Sequence, residues 1–279
     1  MKVKIIIDST TNIKKELVGQ FGVVPLTVHF GDKEYVDGVT INYIEFYEKL
    51  ENGSIMPTTS QPTPDAFENA FKAAVNDGYK VVAITVASKL SGTYQSACIA
   101  AEEFGDDVIV VDSESVTIGA GILAETALSL AKQGKSAAEI ADILNEEKKR
   151  IKIFAVLDTL EYLKKGGRVN AAVAFAGGML NIKPVAAIEK GEIKMAGKAR
   201  GNKLGNAVML QQISGTGGID FSKPFLLGYT GTEDLLLKEF IAENRSYFNG
   251  NTIHQSFVGS VVGTHAGPGA IAVAYYTNQ

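Results

Sequence analysis

Residues 81–111, VVAITVASKLSGTYQSACIAAEEFGDDVIVV, contain the pattern that decides the fold. The apolar run at 81–86 predicts a buried strand, a hydroxyl-rich loop follows at 88–96, and the stretch to Phe104 has helical spacing. The apolar run at 108–111 predicts the next strand. Because two strands joined through a helix form a parallel pair, this unit indicates an α/β protein. Ligands of such proteins bind beyond the carboxyl ends of the strands.

The rest of the N-terminal half repeats this alternation. We predict strands at 3–7, 23–30 and 33–36, helices at 13–21, 44–50 and 65–76, and two more helices between 118 and 149. Asp8-Ser9-Thr10, the Ser88 loop and Asp112-Ser113 each follow a predicted strand. Since the carboxyl ends of parallel strands lie at one edge of a sheet, we expect these polar groups to meet there.

The pattern changes from about residue 151. Strands are predicted at 151–157, 183–188, 192–195, 225–229 and 270–275, and helices around 160–165, 203–213 and 233–244. We therefore predict a two-domain α/β protein with the ligand between its domains. Residues 1–150 form an N-terminal parallel-sheet, Rossmann-like domain with a small hairpin and helix insertion at about 30–57, and residues 151–279 form a C-terminal α+β domain.

The composition narrows the class of function. The 279 residues are 46% hydrophobic and carry a net charge of −4, which argues against a nucleic-acid-binding face. The single cysteine, Cys98, excludes a disulfide framework, and no His-x-x-x-His or Cys-x-x-Cys motif indicates a metal site. The chain runs into its first strand without a signal peptide, and no apolar run reaches membrane-spanning length. We expect a cytoplasmic protein without stable membrane insertion.

Two hydroxyl-rich loops, at residues 57–64 and 88–96, give the strongest functional signal. Each is predicted to lead into a helix, where free backbone N–H groups and the positive end of the helix dipole favour an anion. The added hydroxyls would make a neutral cradle for a carboxylate or a phosphate. The structural alternative is N-capping, because Ser and Thr are common at helix starts for that reason alone.

Two motifs point to other chemistry. Asp8 follows a strand, as does the nucleophile of aspartate-dependent phosphotransferases, but such phosphatases usually carry a second Asp where this chain has Thr10. Asp8 is therefore predicted to accept hydrogen bonds from its neighbours, with the phosphotransferase as the alternative function. Residues 119–124 match a relaxed dinucleotide fingerprint in spacing, but they begin several residues after their strand and no acidic strand end follows. We predict no dinucleotide site.

Two glycine-containing segments carry further candidate residues. His265 lies in the glycine-rich stretch 263–270, and Gly166-Gly167-Arg168 pairs a flexible turn with a guanidinium group. A histidine can donate to an anion or, when protonated, balance its charge, and arginine suits a carboxylate or phosphate. The alternatives are a plain turn with His265 at the surface and a domain-bridging salt bridge at Arg168.

Taken in order, these segments resemble the DegV family. The matching pieces are Asp8-Ser9-Thr10, Thr59-Ser60-Gln61-Pro62, Ser91-Gly92-Thr93-Tyr94-Gln95-Ser96-Ala97, Val111-Asp112-Ser113, Gly166-Gly167-Arg168, Leu180-Asn181-Ile182-Lys183-Pro184 and residues 263–270. The resemblance covers essentially the whole chain. It implies a non-catalytic protein, without a cofactor or a metal, that holds a long-chain fatty acid such as palmitate, stearate or oleate between its two domains.

The resemblance also implies a partner and a set of site residues. Some DegV proteins are the lipid-binding subunit of bacterial fatty acid kinase, in which a separate catalytic subunit phosphorylates the presented carboxylate for phospholipid synthesis. By this resemblance, the hydroxyls of Thr59 and Ser91 hold the carboxylate. The residues implied to lie nearby are Ser60, Gly92, His265 and, at the mouth, Arg168.

Overall fold

The computed structural model describes residues 2–168 and 181–278. Its strands are β1 (Lys2–Asp8), β2 (Gly22–Val24), β3 (Thr27–Phe30), β4 (Lys33–Val36), β5 (Thr58–Ser60), β6 (Tyr79–Thr85), β7 (Val108–Asp112), β8 (Ile151–Val156), β9 (Ile182–Glu189), β10 (Glu192–Arg200), β11 (Leu226–Tyr229), β12 (Gln255–Phe257) and β13 (Ile271–Tyr276). Its α-helices are α1 (Tyr43–Asn52), α2 (Pro64–Asn76), α3 (Thr93–Ala101), α4 (Thr117–Lys132), α5 (Ala137–Glu147), α6 (Glu161–Lys165), α7 (Asn202–Gly215), α8 (Leu235–Glu243) and α9 (Ser260–Ala266).

The first sheet is parallel throughout, with strand order β2-β1-β6-β7. Its central strands are runs of Val, Ile and Ala that are buried on both faces, as expected for a parallel sheet covered by helices. Helices α2 and α3 pack on one face, and α4 and α5 on the other. The predicted polar groups do meet at one edge, where the Val86 N–H donates to Asp8 and the Ser113 N–H donates to the Thr85 carbonyl.

A separate mixed sheet has the order β10-β9-β8-β13-β11-β12. One face packs against α7 and α8, and the other contacts α4. Helix α4 is apolar on nearly all sides, which is typical of a helix with no face in water. It lies between the parallel sheet and the mixed sheet and connects their cores. The predicted α/β class, with a parallel sheet and a distinct second sheet, is therefore confirmed.

The third sheet is small, with order β4-β3-β5, and α1 packs beside it. The single strand predicted at 23–30 is wrong, because the chain changes sheets at Pro25: β2 pairs with β1, whereas β3 pairs with β4 and β5. Proline has no N–H to donate to a neighbouring strand, which explains the break. The helix predicted at 13–21 is also wrong. Only a 3₁₀ turn at Lys15–Leu17 forms, and Gly19 weakens any continuation.

Three further predictions need correction. Part of the first hydroxyl loop is strand β5, the strand predicted at 192–195 extends to Arg200, and the first half of the glycine-rich stretch 263–270 belongs to the unpredicted helix α9. Leu180 of the family-like motif lies outside the described residues.

The strands of the parallel sheet precede residue 150 and those of the mixed sheet follow it. The domains 1–150 and 151–279, and the insertion at 30–57, remain our proposal. In the described ranges no helix combines the length and apolarity needed to cross a bilayer.

Candidate functional site

A cavity of about 220 Å³ lies between the parallel sheet and the mixed sheet. Its walls are mainly apolar side chains from β8, β9, β13 and α9, and its polar groups come from β5, from the segments after β1 and β6, and from Arg168 and His265. All of the predicted site residues line it: Thr59, Ser60, Ser91, Gly92, Arg168 and His265. The fold therefore brings together residues that are more than 200 positions apart in the chain.

Thr59 is positioned by a short strand rather than by a loose loop. Its backbone pairs with Val28 across the β3–β5 ladder, and its Oγ1 lies 3.1 Å from Nε2 of His265. The capping of the following helix is done by Thr63, which accepts from the Ala66 N–H. Thr59 is therefore not a helix cap. Ser60 lies at the exposed rim, where its Oγ is 2.8 Å from Nε2 of His29.

Ser91 shapes its own turn and also faces the cavity. Its Oγ lies 2.8 Å from Oγ1 of Thr93 and accepts from the Thr93 N–H at 3.3 Å, immediately before α3. Gly92 has a different reason for being small: a Cβ there would strike the side-chain amide of Gln61. That amide donates to Ser96 Oγ at 3.1 Å, so the two hydroxyl loops touch directly. Ser91 therefore both stabilises its own turn and lines the cavity.

His265 lies near the end of α9, which terminates at Gly267 in a left-handed conformation (φ 72°). Its Nδ1 is buried without a hydrogen-bond partner and sits so close to Gly166 that a side chain there would collide with it. Burial, together with the nearby charge of Arg168, lowers the pKa of His265 to about 4. The imidazole is therefore neutral near pH 7, and it contacts the Thr59 hydroxyl without adding a charge.

Arg168 spans the mouth of the cavity. Its Nε donates to the Leu90 carbonyl at 3.3 Å and its Nη1 to the Gly166 carbonyl at 2.7 Å. The exposed guanidinium thus joins the segment after α6 to the loop before Ser91 through these two carbonyls. Within residues 2–168 and 181–278, no other Arg, Lys, Asp or Glu side chain lines the cavity.

Asp8 lies behind the wall of the cavity and is completely buried. Its Oδ1 accepts from the Thr10 N–H at 2.9 Å and the Thr10 hydroxyl at 2.6 Å, and its Oδ2 accepts from the Val86 N–H at 2.6 Å. A carboxylate whose two oxygens are engaged in this way has no free path to a phosphoryl group. The arrangement therefore argues against the phosphotransferase alternative. Asp8 instead fixes Thr10 and Val86, which both line the cavity.

Asp8→Asn should lower the free energy of unfolding by about 1–3 kcal/mol near neutral pH, because asparagine has one acceptor oxygen and leaves either the two Thr10 donors or the Val86 N–H without an acceptor. The pKa of Asp8 is raised by burial to about 6, above its usual 3.8. Because the folded state holds this proton more tightly than the unfolded chain, protonation of Asp8 adds to the free energy of unfolding. The added stability is fully present below about pH 4 and is lost as the pH rises through about 6. Asparagine does not titrate. Urea unfolding should show a larger difference between wild type and variant at about pH 4 than at about pH 7.

An equal difference at both pH values would contradict this account of Asp8. The same variant addresses the alternative function. A magnesium-dependent phosphatase activity that is present in the wild type and abolished by Asp8→Asn would restore the phosphotransferase hypothesis.

Sequence reasoning missed the apolar walls and the reason for two glycines. A Cβ on Gly119 would strike Ser115 and Ile153, and one on Gly121 would strike the Asn12 carbonyl. The dinucleotide-like spacing therefore has a structural reason, which is the close packing of α4. The walls carry a weak signal in sequence, because alanines alternate with larger residues in β13.

These features define a class of protein: two sheets of an α/β chain enclose an apolar chamber whose mouth is lined by hydroxyls. The DegV family model matches residues 2–278, and the chain belongs to the DegV family. The resemblance noted in the sequence is confirmed. A DegV domain-containing protein of Caldanaerobacter subterraneus is 38% identical over 278 residues, which is 98% of each chain.

Solved structures share the fold over the full length. A DegV family protein of Thermus thermophilus, described for its fatty acid binding, is 30% identical with a TM-score of 0.89, and the match covers 100% of both chains. A stearic acid-binding protein of Eubacterium ventriosum is 27% identical with a TM-score of 0.86, and the match covers 98% of this chain and 97% of the other.

Proposed function

We propose that this protein binds a long-chain fatty acid, with the carboxylate at Thr59 and Ser91 and the acyl chain in the cavity. The observation that carries the proposal is the division of the cavity into an apolar chamber and a hydroxyl-lined mouth. The fatty-acid-binding relatives of the same fold support it. Palmitate, stearate and oleate are the expected ligands.

The energetics assign different roles to the two ends of the ligand. Burial of an acyl chain contributes roughly 0.8 kcal/mol per methylene, so about fourteen methylenes supply on the order of 10 kcal/mol before the costs of association. Hydrogen bonds from hydroxyls to a carboxylate contribute about 1.5–3 kcal/mol each. The tail therefore provides most of the affinity, and Thr59 and Ser91 fix the position of the head group.

The second part of the proposal is presentation of the carboxylate to a separate fatty acid kinase subunit. In that reaction a carboxylate oxygen attacks the γ-phosphorus of ATP, a new P–O bond forms, and ADP leaves with the electrons of the broken bond. Neutral hydroxyls leave the carboxylate nucleophilic, whereas a bidentate arginine clamp would compete with transfer. Ser60, Gln61 and Arg168 are exposed, so the mouth is within reach of a partner. In this role the chain is a cytoplasmic binding subunit for phospholipid metabolism and contributes no catalytic residue.

Native mass spectrometry of the purified protein tests the first part. We expect a mass increase equal to one long-chain fatty acid, and rebinding of added stearate, palmitate or oleate after delipidation. Lipid-free protein that also fails to bind these acids would rule the proposal out.

The second part of the proposal has its own test. ATP-dependent acyl-phosphate, trapped with hydroxylamine, should form only when a fatty acid kinase catalytic subunit is added. Its absence with a loaded protein would remove the kinase role alone.

A further inference from the structure

Four small residues stand side by side on adjacent strands of the mixed sheet. Ala155 pairs with Ala186 on one side and with Ala272 on the other, and Ala272 pairs with Gly228. All four line the cavity. Neighbouring strands lie about 4.8 Å apart, so the row extends over roughly 14 Å, perpendicular to the strands. We name these four residues the small-residue row.

Larger side chains flank the row on the same face of the sheet. Residues two positions apart in a strand share a face, so Ile153 and Leu157 lie on either side of Ala155. Ile153 pairs with Ile188 on the next strand, and all three flanking side chains line the cavity. In β8 and β9 the small-residue row is therefore the bottom of a groove, with Leu157 on one side and Ile153 and Ile188 on the other.

The two ends of the groove differ. At one end, Ala186 packs in a cluster with Leu163 of α6, five residues before Arg168 at the mouth. At the other end, a Cβ added to Gly228 would lie 3.3 Å from Ile118 of α4 and 3.5 Å from Val258. The first end lies beside the segment that leads to Arg168, and the second is closed by apolar side chains.

On the basis of the proposed function, we infer that the acyl chain lies along the small-residue row with its methyl end at Gly228, and that Ala272 and Gly228 set the chain length the protein accepts. A methyl group added on the row occupies the volume of acyl methylenes that would otherwise pass there. An obstacle at Ala272 blocks the chain earlier than an obstacle at Gly228. The effect on long acids should therefore be graded along the row.

The test measures competition between stearate and dodecanoate on delipidated protein by native mass spectrometry. Because one methylene in an apolar pocket changes selectivity by about tenfold or more, Gly228→Ala should lower the ratio of bound stearate to dodecanoate about tenfold, and Ala272→Val about 100-fold. The matched controls are Gly215→Ala, where a Cβ meets open space, and Ala207→Val on the exposed face of α7. Both controls should keep the wild-type ratio.

The outcomes separate this inference from the proposed function. A wild type that binds neither acid contradicts the proposed function itself. A wild type that binds stearate, with ratios unchanged in both row variants or with both acids lost equally, overturns the inference about the row alone. If Ala272→Val does not fold, Ala272→Gly adds no atoms: it should raise the retention of a mid-chain methyl-branched acid relative to stearate about tenfold, and an unchanged ratio again overturns the inference.

Discussion

Replacing Thr59 and Ser91 together by alanine is expected to weaken stearate binding by about 100-fold or more near neutral pH. Each substitution removes a hydroxyl donor to the carboxylate, and such bonds to a charged group contribute about 1.5–3 kcal/mol each. Because the acyl chain still enters the apolar cavity, binding should be weakened and not abolished. Isothermal titration calorimetry on delipidated protein measures the change. Phosphorylation of the bound acid by a kinase subunit should fall as well, since the head group loses its fixed position.

The matched control lies on the same two segments. Thr58, next to Thr59, and Ser88, three residues before Ser91, are exposed hydroxyl residues that do not line the cavity within the described part of the chain. Thr58→Ala combined with Ser88→Ala removes the same atoms and imposes the same backbone preferences. It should bind stearate as the wild type does. Equal affinity of the Thr59/Ser91 double variant and this control would remove the site assignment.

Gly121→Ala is expected to destabilise the protein by about 3 kcal/mol or more, although Gly→Ala inside a helix usually stabilises by about 0.5–1 kcal/mol. The added methyl would overlap the backbone carbonyl of Asn12, which cannot move as a flexible side chain would. Asn12 is itself held to α4, because its Oδ1 accepts from the Thr117 hydroxyl at 2.7 Å. At about 2–4 °C per kcal/mol for a chain of this size, the melting temperature should fall by roughly 10 °C.

The control for this prediction is Gly215→Ala at the end of α7, where the added methyl meets nothing within 4 Å. It should leave the melting temperature unchanged or raise it slightly. If Gly121→Ala and Gly215→Ala have the same melting temperature, the close contact between α4 and the Asn12 segment does not govern stability, and our account of the glycine spacing fails.

The sequence predicts the parallel sheet well because its signals are local. Runs such as 81–86 and 108–111 are apolar throughout, and the loops after them are polar, so each strand and its end can be read independently. Prediction fails where a single residue redirects the chain. Pro25 divides an apparently continuous strand between two sheets, and no local periodicity reveals which neighbour each half pairs with.

The candidate site divides in the same way. The two hydroxyl loops and Arg168 stand out in the sequence because hydroxyls and a guanidinium near helix starts and glycine turns suit an anion, whereas the choice of Thr59 and Ser91 within the loops came from the resemblance to the DegV family. The walls do not stand out, since Ala155, Ala186 and Ala272 look like ordinary core residues until strand register places them beside one another. The pairing of Thr59 with His265 likewise depends on α9, which the glycine-rich sequence concealed.

A crystal structure of the protein saturated with stearate tests the central claim most directly. We predict an elongated tube of electron density in the cavity between the sheets, with its branched carboxylate end within hydrogen-bond distance of Thr59 Oγ1 and Ser91 Oγ. Density whose branched end lies away from both hydroxyls, or a cavity that stays empty at saturating stearate, would contradict the account.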